Sequence, residues 1–245
     1  MNRHKKYPGV ALWLLLVCFL LTLGPKPQEI STAGGAEVEV ENTPLLALTY
    51  DDGPGGASTE KLLDGLALRE VPATFFLVGQ QIPGQEALVR RMAAEGHQIG
   101  LHTQSHVMLT KAGEEQIRQE ITENREQLTE LLGEGDYWLR PPYGKYNDSV
   151  KHWANSPLVL WSVDPEDWKD RNRDRIVEAV VSRVQDGDII LMHDIYDSSV
   201  EAALEIVDRL TDRGFTFVTV KQLMDLRGEK PVPGNTVSAL PAPKD

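Results

Sequence analysis

Cysteine is almost absent from this 245-residue chain, and its one example is Cys18. Cys18 lies inside an apolar run near the N-terminus. The residue before it, Val17, is not the small residue that a lipoprotein signal would place there, so we interpret Cys18 as an apolar filler. The rest of the chain can form no disulfide, and its stability must therefore come from a hydrophobic core.

Basic residues are also scarce. Without its first 36 residues, the chain has 21 Lys and Arg against 36 Asp and Glu, a net charge of −15. A surface this acidic argues against nucleic acid and against anionic membranes as partners. The charge does not argue against a neutral sugar polymer.

Long apolar runs are confined to the N-terminus, where three basic residues precede an apolar run over residues 10–23. The run is short for a full membrane span, and the pattern is typical of an export signal. A small-residue stretch, AGGA at 33–36, offers a cleavage site. We therefore expect residues 1–36 to be a signal peptide or a membrane anchor. The protein would then be exported, either secreted or held at the outer face of the cytoplasmic membrane and cell wall.

The remaining chain is long enough for one domain with a substantial core, which we assign to residues 37–228. Residues 229–245 are rich in proline and poor in large apolar side chains. This composition predicts a loose, flexible tail. We expect the protein to be a monomer that touches a membrane only through its N-terminal segment, if that segment is not cleaved.

Short apolar runs alternate with amphipathic segments along the domain. The candidate strands cover residues 45–50, 73–78, 98–101, 137–140, 158–163, 188–192 and 215–220. The candidate helices cover about 58–68, 85–95, 112–132, 147–154, 174–184 and 199–213. The strands are apolar on successive residues, which is typical of strands covered on both faces. Seven strands alternating with helices predict an α/β fold whose parallel sheet is most simply closed as a (β/α) barrel.

Polar side chains follow five of these strands, at the carboxyl ends where such folds carry their active groups. They are Asp51 and Asp52, His102 and His106, Arg140 with Pro141, Pro142 and Tyr143, then Asp164, Asp167 and Trp168, and finally His193 and Asp194. Taken singly, each cluster has a structural explanation, such as a turn, a rigid loop or a buried core histidine. Together on one rim they predict a site.

The sequence HTQSH places His102 and His106 four residues apart, on one side of a helical turn, which suits a shared metal. No glutamate follows the first histidine, so this is not the zinc-protease helix motif. A carboxylate from a neighbouring strand end would complete an Asp-His-His triad with open positions for water and substrate. Because adjacent strand residues point to opposite faces, one of Asp51 and Asp52 could bind the metal while the other stands beside bound water. His97 is interpreted as structural.

Five segments in order, LTYDDGP (48–54), HTQSH (102–106), RPPYG (140–144), DPEDW (164–168) and LMHD (191–194), resemble the motifs of a known family. They are similar to the polysaccharide deacetylases of carbohydrate esterase family 4, the NodB-homology domain, over residues 44–226. The resemblance implies a distorted parallel (β/α) barrel with about seven strands and one divalent metal ion, zinc first, with cobalt or another divalent ion as alternatives. It also implies removal of acetyl groups from N-acetylglucosamine units of chitin oligomers or peptidoglycan, or of ester acetyl groups from xylan.

The resemblance further implies a role for each matching residue. The implied metal ligands are Asp52, His102 and His106; the implied catalytic residues are Asp51 as general base, Arg140 orienting it, His193 as general acid, Asp167 tuning His193, and the Tyr143 backbone N–H at the oxyanion; the implied substrate-binding residues are Trp168, Leu191 and Pro142. The chain departs from the family pattern at Tyr50, where phenylalanine is usual, and at Leu101, where asparagine often stands. Both lie beside the chemistry and bear on substrate preference.

The sequence therefore predicts an exported, metal-dependent hydrolase that acts on acetylated glycan, polymer or oligomer, in the cell wall. An O-acetyl esterase on xylan-like polymers would use every residue named above. An inactive glycan-binding or sporulation scaffold is a further alternative, against which the complete motif set argues. Hydrolysis of a small N-acetylated amine is also left open.

Overall fold

The computed structural model describes residues 43–242. The expected export segment, Cys18 and the last three residues lie outside the described residues. Within them the strands are β1 Leu45–Asp51, β2 Thr74–Leu77, β3 Gln98–Leu101, β4 Leu158–Val159, β5 Asp188–His193, β6 Thr216–Val218 and β7 Thr236–Val237. The helices are α1 Ala57–Ala67, α2 Glu86–Ala94, α3 Glu114–Leu132, α4 Asp148–Ala154, α5 Asp167–Asp170, α6 Arg173–Val181, α7 Asp197–Thr211 and α8 Val220–Leu226. Over residues 43–242, no helix has both the length and the apolar character needed to cross a membrane.

The fold is α/β with a parallel sheet, as the sequence predicts. Strands β3, β2, β1 and β5 lie side by side in that order, and β6 pairs with the first half of β1. Every residue of β1 is buried, because neighbouring strands and helices cover it on all sides. The register pairs Asp51 at the end of β1 with His193 at the end of β5. Two of the predicted site residues are therefore neighbours across one strand pair.

The rest of the predicted barrel is present only as isolated parallel bridges, which join Leu101 to Leu139, Leu139 to Leu158, and Val163 to Ile190. The predicted strand over 137–140 is therefore a single bridged residue. Pro141 and Pro142 follow it at once, and proline has no N–H to extend a ladder. Of the predicted strand over 158–163, only β4 is regular, since Leu160 turns its N–H to Val237 while Ser162 donates to Ile189 on the other side. The sheet is distorted at this point.

The proline-rich C-terminal segment packs on the domain as far as residue 242. Its strand β7 runs parallel to β4, and Val237 is buried. Leu240 donates its backbone N–H to Gly187. A side chain at Gly187 would place its Cβ 2.1 Å from the Leu240 carbonyl oxygen, so the approach requires glycine. Composition alone did not predict this packing; the domain boundaries themselves stay predictions.

Two short helices were not among those predicted. Helix α8 takes over where the predicted strand 215–220 would have continued, because Thr219 and Gln222 form a reciprocal capping box that starts a helix. Helix α5 has only four residues and begins inside the predicted DPEDW motif. Its position matters, since it carries Asp167 and Trp168 to the rim.

Candidate active site

Both aspartates at the end of β1 face the same imidazole. Asp51 Oδ2 lies 3.6 Å from His102 Nε2, and Asp52 Oδ1 lies 3.4 Å from the same atom. The expectation that the two side chains point to opposite faces is thus wrong. The strand ends at Asp51, and Asp52 adopts a left-handed backbone with φ of 70° that turns its carboxylate back toward β3. A non-glycine residue rarely adopts this conformation, and such strain is concentrated at functional sites.

The HTQSH segment is a loop and not the predicted helical turn. Thr103 and His106 both have positive φ, 67° and 58°, and the Thr103 hydroxyl accepts the His106 N–H at 3.0 Å. Glu120 on α3 ties the loop down by accepting the Ser105 N–H at 2.8 Å and the Ser105 hydroxyl at 2.5 Å. The loop still brings the two imidazoles together, with ring centres 4.9 Å apart.

Asp52, His102 and His106 converge on one point. Each offers a ligand atom within 4.8 Å of the others, and His106 Nε2 is 3.2 Å from Asp52 Oδ1. The His102 Nδ1–H donates to the Arg140 carbonyl at 2.7 Å, which leaves the Nε2 lone pair free to bind a cation. Burial lowers the pKa of His106, which keeps its ring neutral. Asp52 Oδ1 is buried and accepts no hydrogen bond from any described residue. An orphaned carboxylate oxygen facing two ring nitrogens fits a divalent metal ion.

Arg140 is completely buried and fixes Asp51. Its Nη1 donates to Asp51 Oδ1 at 2.8 Å and to the Thr49 hydroxyl at 2.7 Å. Its other nitrogens donate to backbone carbonyls, and its guanidinium lies 4.2 Å from the centre of the Phe76 ring. Burial alone would raise the pKa of Asp51, but the nearby charge of Arg140, helped by the two histidines, lowers it below its usual value. Asp51 is therefore an ionised carboxylate at neutral pH.

His193 stands on the other side of the site, with its Nε2 3.9 Å from Asp52 Oδ2. Asp167, the first residue of α5, is fully buried and holds the His193 ring through Nδ1 at 2.8 Å. Burial alone would lower the pKa of His193, but the hydrogen bond and charge of Asp167, together with Asp51 and Asp52, raise it to about 9. The side chain is thus a proton donor at neutral pH.

Asp194 packs against the DDGP turn that follows β1 and contacts Thr59 and Gly53. Its carboxylate accepts the Thr59 hydroxyl, and burial raises its pKa to about 7. A Cβ on Gly53 would lie 2.4 Å from Asp194 Oδ1, so the glycine of the DDGP turn is required by this close approach. Asp194, the last residue of the predicted LMHD motif, therefore supports the turn and does not line the pocket.

A pocket of about 450 Å³ opens over these groups. It is lined by Asp51, Asp52, His102, His106, Tyr143, Trp161, Asp164, Trp168, Leu191, His193 and Tyr196. Leu191 is buried in its wall, whereas Trp168 is 49% exposed and stands at the rim. Pro142, predicted to contact substrate, is buried and does not line the pocket.

Tyr143 has a left-handed backbone with φ of 60° in the RPPYG turn. The hydrogen bonds of that turn run from Gly144 to Pro141 and from Lys145 to Pro142, which leaves the Tyr143 N–H outside them. The N–H is thus free to donate to a bound group.

Two pocket residues, Trp161 and Tyr196, were missed from the sequence, although they lie three residues from Asp164 and His193. His97 lies outside the pocket, as expected of a structural residue. Its Nδ1 accepts the Ala73 N–H at 3.0 Å, and burial lowers its pKa to about 4.

A second cavity of about 550 Å³ adjoins this pocket and shares Asp52 and His106 with it. Its lining adds Pro54, Gly55, Gly56, Val78, Gln80, Gln81, Gln85, Ser105 and Ile195. The two cavities together make a cleft with Asp52 and His106 at the boundary between them. A ligand longer than one sugar residue could therefore lie across the triad.

A family model described as polysaccharide deacetylase matches residues 39–157. The peptidoglycan-N-acetylmuramic acid deacetylase PdaC of Bacillus subtilis is 38% identical over 206 residues, covering 84% of this chain and 44% of that protein. A peptidoglycan-N-acetylglucosamine deacetylase of Bacillus cereus is 38% identical over 196 residues, covering 77% of this chain and 71% of that protein. The chain spans less than half the length of PdaC.

Two solved structures of polysaccharide-modifying enzymes are also similar to this chain. The structure of PdaC from Bacillus subtilis has a TM-score of 0.75 at 39% identity, covering 78% of this chain and 94% of that chain. A family 4 acetyl xylan esterase from Clostridium thermocellum, in complex with a cobalt ion, has a TM-score of 0.76 at 31% identity. That match covers 80% of this chain and 99% of that chain.

Proposed function

This chain belongs to the polysaccharide deacetylase family, the NodB-homology enzymes of carbohydrate esterase family 4, and from that premise we propose that it is an exported, metal-dependent hydrolase that removes N-acetyl groups from glycan. The substrate class is N-acetylglucosamine-containing glycan, as in peptidoglycan or chitin oligomers. The names of the relatives support an N-acetylated peptidoglycan substrate in particular.

One observation carries the proposal: a carboxylate and two imidazoles converge between an ionised aspartate and a protonated histidine. Asp52, His102 and His106 would hold one divalent ion, with zinc as the first choice and cobalt or another divalent ion as alternatives. The orphaned Asp52 oxygen and the fixed His102 tautomer support this ligand set. When bound, such an ion polarises an acetyl carbonyl and makes a nearby water molecule more acidic.

Asp51 is the proposed general base. It lies beside the triad without belonging to it, and Arg140 keeps it ionised by a buried hydrogen bond. An ionised carboxylate in this position can take a proton from the water that attacks the acetyl carbonyl. Arg140 does not touch substrate; it positions the base.

His193 is the proposed general acid. An amine leaves the tetrahedral intermediate only when its nitrogen is protonated, so a donor is needed on the side opposite the base. The Nε2–H of His193 faces the site, and Asp167 holds the other ring nitrogen. This arrangement keeps the ring charged and aimed until it gives up its proton.

The Tyr143 N–H would donate to the oxyanion that forms at the acetyl carbon. Its freedom from the turn's own hydrogen bonds supports this role. Leu191 and Trp168 would surround the acetyl methyl group and the adjoining sugar ring, since apolar and aromatic walls suit both.

A second candidate is hydrolysis of O-acetyl esters on xylan-like polysaccharide. The similarity to an acetyl xylan esterase supports it. An ester needs less help from the acid than an amide does, because an alkoxide can leave without being protonated first, whereas the amide nitrogen leaves only as a protonated amine. The two candidates therefore differ in how strongly each depends on His193.

The test is release of acetate from peptidoglycan, chitin oligomers and acetylated xylan by metal-free protein supplied with zinc or cobalt. The matched control is His193→Ala, which should lose most activity on N-acetylated glycan. Release from N-acetylated substrates with a strong loss in the variant supports the proposal. Release from xylan alone supports the esterase, and no release from any substrate by folded, metal-loaded protein contradicts both.

Export rests on the basic and apolar pattern of residues 1–36, which lies outside the described residues. We propose that the domain acts outside the cytoplasmic membrane, where the cell wall is. Cell fractionation with N-terminal sequencing of the purified protein tests this. Recovery of the uncleaved chain from the cytoplasm would contradict export, while an uncleaved chain in the membrane fraction would indicate an anchor.

A further inference from the structure

One arginine, Arg171, lies on a residue that lines the pocket and differs from all the other arginines. Of the thirteen arginines in residues 43–242, twelve donate a side-chain hydrogen bond to a carboxylate or a carbonyl. Arg171 donates to none in this part of the chain, and it is exposed. An unpaired guanidinium is unusual in a chain with so large an excess of acidic residues.

Arg171 is nevertheless fixed in place. Its guanidinium carbon lies 4.0 Å from the centre of the Tyr196 ring, a close cation–π contact. Tyr196 in turn lines the pocket, and its ring centre is 6.3 Å from that of His193. Arg171 thus contacts Tyr196, and Tyr196 lies beside His193. These two contacts keep the guanidinium on the His193 side of the pocket.

Arg171 is also close to the pocket along the chain, three residues after Trp168. It ends α5, the short helix that carries Asp167 and Trp168, and its left-handed φ of 54° stops that helix. Asp170, the acidic residue next to it, pairs with Arg175 at 2.6 Å instead. The adjacent acid is thus engaged elsewhere, and the Arg171 charge stays available.

The acidic groups of the pocket do not compete for Arg171 either. Asp51 is paired with Arg140, and Asp167 with His193. Asp164 accepts the Glu166 N–H at 2.7 Å within its own loop, and Asp52 faces the two imidazoles of His102 and His106. A guanidinium that stays unpaired beside a cleft matches a carboxylate in shape and charge better than it matches a neutral hydroxyl.

We propose that Arg171, seated on Tyr196, binds a carboxylate carried by the glycan substrate and so favours glycans with acidic substituents over neutral ones. This rests on the proposed function, because the carboxylate must belong to the chain whose acetyl group occupies the pocket. The group has two possible sources in a peptide-bearing glycan: a lactyl ether on the sugar itself, or an attached peptide. The Arg171 contact is a specificity contact, so it acts on substrate binding and not on bond cleavage.

The test compares kcat and KM for acetate release by the zinc-loaded wild type and by Arg171→Gln, Arg171→Lys and Arg183→Gln. Arg183 is the matched control, since it is exposed, lines neither cavity, and its side chain donates to the Ala179 carbonyl of the preceding helix α6. Three oligosaccharide substrates of equal length are used: a neutral N-acetylglucosamine oligomer, one whose alternate sugars carry a free lactyl carboxylate, and one whose lactyl groups are amide-linked to a short peptide.

We expect Arg171→Gln to raise KM about tenfold on the lactyl substrate with little change in kcat. The variant loses one charge-assisted contact, and it loses that contact equally in the bound substrate and in the transition state. The neutral oligomer should be processed equally by all four proteins. Arg171→Lys should recover part of the loss, and added salt should narrow the difference. A loss that persists only with the peptide substrate would assign the carboxylate to the peptide.

Equal effects of Arg171→Gln on the neutral and acidic substrates would overturn the inference, as would an equal loss in Arg183→Gln. Failure of the proposed function is distinguishable from this outcome. In that case the wild-type protein releases no acetate from any of the three substrates.

Discussion

Asp167 holds His193 at two points: its Oδ1 lies 2.8 Å from the ring Nδ1, and its Oδ2 accepts the His193 backbone N–H at 2.9 Å. One buried carboxylate thus fixes both the ring and the strand end that carries it. The ring Nε2 is left pointing into the pocket, toward Asp52. A group held in this way is charged and oriented before substrate arrives.

Replacing Asp167 should change the pH profile more than the fold of the site. Without the carboxylate charge, the pKa of His193 should fall from about 9 toward its ordinary 6.5. A general acid works while it is protonated, so activity is lost as pH rises through its pKa. In Asp167→Asn the high-pH limb of kcat/KM should therefore move to lower pH. A bound cation would lower the pKa in both proteins, so the difference between them is the test, and an unmoved limb would contradict it.

His193→Ala removes the proposed acid itself. We expect turnover on N-acetylated glycan to fall about 10²–10⁴-fold, which is the usual contribution of general acid catalysis. Metal content, measured by elemental analysis, should stay near that of the wild type, because His193 does not belong to the three-residue ligand cluster. Loss of the metal from this variant would show instead that His193 is a ligand.

Arg140 supports the base and the fold together. Arg140→Gln would leave Asp51 buried without its partner, and removing one member of a buried ion pair typically lowers the free energy of unfolding by about 3–5 kcal/mol. The pKa of Asp51 should rise, since the charge and hydrogen bond of Arg140 no longer oppose the effect of burial. A base works while it is deprotonated, so the low-pH limb of kcat/KM should move to higher pH. Denaturant unfolding and a pH profile measure the two effects. Exposed Arg183→Gln serves as the control for each, and an unchanged low-pH limb would contradict the role of Arg140.

The side chains that the structure brings together at the candidate site could be picked out from the sequence because they lie near strand ends. Asp51, Asp52, His102, His106, Arg140, Asp167 and His193 all lie at the end of an apolar run or within five residues after it, and a parallel sheet brings such ends to one rim. The left-handed backbone at Asp52 and His106 was not predictable, since neither residue type demands it. The convergence of both aspartates on His102 follows from that backbone and appears only in three dimensions.

The parts that sequence missed depend on long-range contacts. In the sequence, Tyr196 looks like an ordinary residue at the start of a helix. Its contact with Arg171 joins residues 25 positions apart, and local sequence patterns do not predict such a contact. Strand β7 is too short and too rich in neighbouring prolines to show periodicity, and it forms because β4 offers an open edge. For Arg140 the sequence predicted the role but not the burial. The RPPYG motif indicated a site residue, whereas charged residues are almost never completely buried unless they are paired.

Metal removal tests the triad as a unit. Chelation should abolish acetate release, and added zinc or cobalt should restore it. Binding should weaken as pH falls through the imidazole range, because protonated His102 and His106 cannot donate a lone pair. Isothermal titration with zinc at several pH values measures this. Full activity in protein shown to be free of metal would contradict the assignment.

The last prediction separates the two adjacent aspartates. Asp52 Oδ1 is orphaned and lies close to both imidazoles, whereas Asp51 Oδ1 is already bound by Arg140 at 2.8 Å. Arg140 offsets the Coulomb repulsion between the two carboxylates on the side of Asp51, and a bound cation would offset it on the side of Asp52. Asp52→Asn should lower the affinity for zinc, and its activity should recover in part at high zinc. Asp51→Asn should bind zinc nearly normally and stay inactive at every concentration. Zinc titration with occupancy and acetate release measured on the same samples distinguishes the two, and like behaviour of both variants would mean that base and ligand are wrongly assigned.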